Sequence, residues 1–150
     1  MYAPIAPPSK PKFFNLRAQL LEEGRSLVPL AETESLWSWI KVYATGGENT
    51  LHAHPNEDHM FVVLAGQATF FGPDDEEKNI GRHQGLMLPA GTLYRFHASG
   101  DEPLVLLRVG ARGGDGALKA RLGADGQLLP GGSKRNKFSP PVYKEGAYFE

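Results

Sequence analysis

The chain has 150 residues, with 16 Lys and Arg against 17 Asp and Glu. That length fits one domain with a real core, and the balanced charge gives no basic excess to mark a nucleic-acid or anionic-membrane partner. There is no cysteine, which excludes disulfides and thiolate metal sites and leaves His, carboxylate, Tyr or water for any transition metal.

The start, "MYAPIAPPSKPK", has no apolar core of a signal peptide, and no apolar run is long enough to span a bilayer. The expectation is a cytoplasmic protein. Pro4, Pro7, Pro8 and Pro11 make residues 1 to 12 an extended or disordered arm. In "NLRAQLLEEGR", Leu16, Leu20 and Leu21 recur near helical spacing, Asn15 can cap and Gly24 can stop the run. This predicts one short helix over 15–23.

Strand texture follows. "LWSWIKVYA" at 36–44 is rich in aromatic and β-branched residues, and "FVVLAG", "ATFFG", "LMLPAG", "LYRFHA" and "LVLLRVGA" follow at short intervals. Gly46-Gly47, "GPDDEEKN" and "SGDEP" supply the turns between them. Many short strands with almost no helix between them predict a β-sandwich or small barrel. "ATFFGPDDEEKNIG" reads as a hairpin with a charged tip. Beyond about residue 111 come Gly113, Gly114, Gly116, Gly123, Gly126, Gly131, Gly132 and Gly146. This tail still holds Phe138, Val142, Tyr143, Tyr148 and Phe149, so it is expected to pack on its own barrel or on a partner. The division expected is an arm and helix at 1–24, a barrel at 25–112 and a tail at 113–150.

"LHAHPNEDHMFVVLAG" holds His52, His54 and His59, three of the five histidines. In a strand, residues two apart share a face, so His52 and His54 can address one ion. Pro55-Asn56 favours a turn, and His59 opens the next strand with Phe61 and Val63 on its face. Three imidazoles suit Zn, Fe, Ni, Cu or Mn. The competing reading is a solvated, His-rich turn. Glu57 and Asp58 are alternatives to His59 as third ligand, or acceptors for an imidazole N–H.

At these residues the chain resembles the cupin superfamily, in its small, single-domain form. The first motif of that family is G-x5-H-x-H-x3,4-E-x6-G, matched by Gly46, His52, His54 and Gly66. The second contains P-x-G-x2-H-x3-N, matched by Pro89 and Gly91. The motifs cover about 46–98, and flanking strands extend the likeness to about 25–112. Two ligand positions depart from the pattern: His59 stands at the family's glutamate and Tyr94 at its second-motif histidine. Ala98 stands at the asparagine and His83 where a glycine is usual. The resemblance implies an all-β double-stranded β-helix, a jelly-roll barrel, with the short helix before it and the extended tail after it. It also implies a site inside the barrel. It carries His52 and His54 over as metal ligands, with His59 and Tyr94 as further candidates. Strand parity puts Tyr94 and Phe96 inward and His97 outward, leaving His97 in reserve; His83 reads as a loop histidine.

The resemblance further implies a divalent transition metal, iron first, with zinc, nickel or manganese as alternatives. A histidine-only set leaves the metal charge uncompensated, which favours a small organic anion as ligand. Tyr94 is a phenolate ligand, a neutral acid or base on bound substrate, or an aromatic filler. Phe61, Val63, Met87 and Phe96, with Trp37 or Trp39, would line the pocket. Dioxygenase-like oxidoreductase chemistry ranks first. A metal-dependent lyase, isomerase or cyclase with Tyr94 as the catalytic acid or base comes next, then a non-catalytic binding barrel. A homodimer is the expected assembly.

Overall fold

A computed structural model describes residues 10–44, 49–112, 120–130 and 138–150. The expectations placed on Pro4, Pro7, Pro8, Gly46, Gly47, Gly113, Gly114, Gly116, Gly131 and Gly132 lie outside the described residues. In chain order the strands are β1 (Ala18–Glu23), β2 (Arg25–Glu32), β3 (Leu36–Tyr43), β4 (His52–Ala53), β5 (Glu57–Ala65) and β6 (Gln67–Phe71). After them come β7 (Glu77–Gly81), β8 (Gly85–Leu88), β9 (Arg95–Ser99), β10 (Leu104–Arg112), β11 (Leu122–Gly123) and β12 (Val142–Phe149). No helix occurs among the described residues, so none there is long and apolar enough to cross a membrane.

Two sheets build the barrel. One has five strands in the order β2-β3-β10-β5-β8, and the other has three in the order β7-β6-β9. The β6–β7 hairpin is the one that "ATFFGPDDEEKNIG" predicts, with Asp74, Asp75 and Glu76 exposed at its tip. Period-2 alternation decides which side chains enter. Along β5 the buried residues are Glu57, His59, Phe61 and Val63, and along β10 Leu104, Leu106 and Arg108 share the inward face. Between the sheets lie Tyr43, Phe61, Val63, Phe70, Phe96, Leu104 and Leu106. Phe70 and Phe96 stack at 5.0 Å between centroids, a geometry that adds about 0.5–1.5 kcal/mol to the area buried.

The helix expected over 15–23 is absent; β1 runs there instead and pairs with β12. The reason is tertiary. The outer face of the large sheet exposes Ile40, Val42 and Val105, and Ala18 and Leu21 of β1 pack on them together with Phe149 of β12. Covering that face and pairing the β12 backbone outweigh the small helical preference of Leu20 and Leu21. Gly24 then turns the chain into β2 with φ +79°, and a Cβ there would lie 2.1 Å from the Pro140 carbonyl oxygen. Only glycine fits both conditions.

Candidate functional site

Five segments converge on one cluster of side chains. His52 is bridged to Tyr94 by two backbone hydrogen bonds of 2.9 Å, which fixes both side chains on the inner wall. His54 follows two residues on and faces the same way. His59 sits on β5 opposite Gly110 of β10, and Gly110 in turn lies opposite Trp37 of β3. The missing side chain at 110 makes room for the Trp37 indole, whose N–H donates to the Glu57 carboxylate.

The imidazoles are close together. His54 and His59 stack at 4.0 Å between centroids, and His52 meets His54 edge-on at 5.0 Å. Their hydrogen bonds assign the tautomers. His52 Nδ1–H donates to the Thr50 carbonyl at 2.6 Å, and its Nε2 is buried with no partner. His54 Nδ1–H donates to the Ala120 carbonyl at 3.3 Å, leaving Nε2 as acceptor. His59 Nε2–H donates to Glu57 Oε1 at 3.4 Å, leaving Nδ1 as acceptor. Three neutral imidazoles thus each keep a lone pair inside the barrel.

Arg108 takes two of them. Its Nη2 donates to His54 Nε2 at 2.9 Å and to His59 Nδ1 at 3.2 Å. The Tyr94 hydroxyl lies 2.9 Å from the same His54 nitrogen and donates to it. Arg108 is 3% exposed, with its guanidinium 5.0 Å from the Phe61 ring and 5.7 Å from that of Trp37. Burial, reinforced by Arg121, holds the pKa of His52 down at about 3. Burial and Arg108 lower His54 strongly and take His59 to about 2. All three are therefore uncharged near neutrality. Burial raises the Tyr94 hydroxyl above its ordinary value, so it stays protonated.

The donor set has the chemistry of a cation site, but the cation in it is a guanidinium. A metal held by the two shared nitrogens would sit about 2.0–2.1 Å from each, in the space that Arg108 fills. As arranged, these residues do not fit a metal ion, and among the described residues no group of three His, Asp or Glu is placed to hold one.

The remaining residues singled out by sequence fall as follows. Met87 is 67% exposed, because Leu86 and Leu88 take the inward positions of β8; its place in the pocket is corrected to the outer surface. Phe61, Val63 and Phe96 are buried but pack as core and do not line the cavity beside Arg108. His97 lies against Phe71 at 5.2 Å on the other face of its sheet, and His83 is exposed in a turn. Asp58 is exposed and accepts from the Ala90 amide at 2.8 Å.

A cavity of about 680 Å³ adjoins Arg108. Arg25, Lys41, Arg121 and Trp39 also line it, with Leu129 and Tyr143. Sequence reading missed Arg108, Lys41 and Arg121. A signal for two of them was there: Arg108 shares parity with Leu104 and Leu106, and Lys41 with Trp37, Trp39 and Tyr43. A cation in an inward register of an apolar strand is rarely buried without a partner.

Residues 39–110 match the model of a family described as the cupin domain. The uncharacterized protein YdbB of Bacillus subtilis is 35% identical over 49 residues, 33% of this chain and 43% of YdbB, so the match spans under half of that relative. Among solved structures, a conserved protein with a double-stranded beta-helix domain from Klebsiella pneumoniae is 24% identical, with a TM-score of 0.54 over 63% of this chain and 76% of its own. The DMSP lyase DddQ from Ruegeria pomeroyi is 21% identical, with a TM-score of 0.56 over 69% of this chain and 53% of its own. At these identities the solved structures establish the fold.

Proposed function

We propose that this chain, whose residues 39–110 match the cupin domain, is a small-molecule-binding barrel of the cupin type in which the Arg108 guanidinium takes the metal's place. The ligand is a small organic anion. The observation that carries the reading is Arg108 Nη2 lying within hydrogen-bond reach of both His54 Nε2 and His59 Nδ1. A fixed cation hydrogen-bonded to neutral imidazoles supplies the positive centre that a metal would supply, without an open coordination position. Tyr94, protonated and hydrogen-bonded to His54, is buried in the core and does not line the cavity beside Arg108, so it positions that imidazole and does not face a bound molecule.

The second reading is the metal-dependent one, with dioxygenase-like chemistry at iron or lyase, isomerase or cyclase chemistry at another metal. His52 Nε2, buried and without a partner, favours it. Arg108 borders the adjoining cavity, so a different side-chain conformer would release the lone pairs of His54 and His59.

Elemental analysis of the purified protein separates the two. The first reading expects no metal above trace in the natural protein and uptake of zinc or nickel by Arg108→Met. Stoichiometric iron in the natural protein would overturn it, and oxygen consumption with β-diketones and catechols would then test the dioxygenase. The homodimer belongs to the same proposal: Phe13 and Phe14 are 93% and 48% exposed and offer apolar surface to a second copy. Light scattering should return the mass of two chains; the mass of one chain would overturn that part.

A further inference from the structure

The cavity beside the histidines is lined by four cations from four segments. Arg25 comes from β2, Lys41 from β3, Arg108 from β10 and Arg121 from the stretch before β11. No Asp or Glu is among its described lining residues. Arg25 and Arg108 are 5% and 3% exposed, so water screens them little. Two of the buried nitrogens, Arg108 Nε and Arg121 Nη1, have no hydrogen-bond partner. The strain of this arrangement shows in the protonation of its members. Burial, then Arg108, Arg25 and Arg121, press Lys41 well below its ordinary value. Burial and Arg108 take Arg121 down to about 10, and the same two causes lower Arg25.

Like charges gathered in a poorly solvated cavity weaken the empty fold and are relieved by loss of a proton, as at Lys41, or by a bound negative charge. One carboxylate cannot meet four cations placed on four segments. Trp39 and Tyr143 add flat aromatic surface to the same wall. A volume of about 680 Å³ suits a compact organic molecule rather than a peptide or a nucleic acid.

We propose that this cavity binds an aromatic or similarly flat organic molecule carrying two negative charges, either a phosphate monoester or a dicarboxylate, with the charged end on Arg108, Arg121 and Lys41 and the body against Trp39 and Tyr143. The proposal rests on the reading of the barrel as a small-molecule site and adds the charge and shape of what it takes. It also gives the cluster a function that costs stability: each cation destabilises the ligand-free protein and holds the ligand.

Isothermal titration of the full chain tests this at about pH 8, where a phosphate monoester is doubly charged. The probes are phenyl phosphate, phthalate, benzoate and benzyl alcohol. At least one dianion should bind tenfold or more tightly than benzoate, with affinity falling as salt rises; which dianion is preferred identifies the head group. Lys41→Met and Arg121→Gln should each weaken dianion binding tenfold or more and also raise the melting temperature of the ligand-free protein. That opposition of signs is not expected of a residue that merely supports the fold. Benzoate or benzyl alcohol binding as tightly as the dianions would overturn the proposal while leaving the small-molecule site standing. Variants that bind dianions like the natural protein would overturn it too. If none of the four probes binds, both readings fall.

Discussion

Gly110→Ala should unseat the wall of the site. The added Cβ would lie 2.2 Å from Cε2 and Cζ2 of Trp37 and 2.5 Å from its Nε1, against about 3.5–4.0 Å for a normal contact. Trp37 is 2% exposed and cannot swing into water. Forcing a methyl into such packing costs about 1–3 kcal/mol. Losing the indole N–H to the Glu57 carboxylate costs about 1.5–3 kcal/mol more. The sum, about 2.5–6 kcal/mol, is a large part of an ordinary domain's stability. With a urea slope of about 2 kcal/mol per molar, the unfolding midpoint should fall by about 1–3 M. Trp37 and Trp39 are the chain's two tryptophans, 4.1 Å apart between ring centroids, so their fluorescence reports on this wall. Gly81→Ala is the control, because its Cβ would meet only Gln67 Cγ at 3.8 Å. A Gly110→Ala midpoint equal to that of Gly81→Ala would refute the account of why residue 110 lacks a side chain.

The three histidines predict acid sensitivity. Their folded values lie far below the ordinary 6.5, so below pH 6.5 the unfolded chain binds protons that the folded chain refuses. Stability then falls as pH falls, by about 1.4 kcal/mol per pH unit for each imidazole and about 4 for three. Urea midpoints at pH 7.5, 6 and 5 measure the slope, and His52→Gln should make it shallower; a flat profile would contradict the burial of neutral imidazoles. Phe96→Ala, at a fully buried ring, should cost about 3–5 kcal/mol, while Met87→Gln should stay within about 0.5 kcal/mol. Equal losses in thermal unfolding would mean that β8 sits in the opposite register.

Much of the barrel is legible in the chain because strand burial is a period-2 pattern. "LWSWIKVYA" and "LVLLRVGA" announce β3 and β10, and the turn residues between runs mark the hairpin of β6 and β7. The stretch over 15–23 misleads because Leu16, Leu20 and Leu21 satisfy a helical spacing locally, whereas their partner β12 lies more than a hundred residues away. No local pattern encodes a pairing of that range.

Sequence alone determined the strand alternation, an all-β class of sandwich or small barrel, and a shared face for His52 and His54. These follow from residue order and the geometry of an extended chain. Tertiary structure decided what meets those histidines. Arg108 is 49 residues beyond His59 in the chain, yet β10 pairs with β5 and brings its guanidinium onto both His54 and His59. The same pairing sets Gly110 opposite His59 and admits Trp37 over Glu57. Register between distant strands, not spacing within one, chose a guanidinium as the cation at the centre of the site.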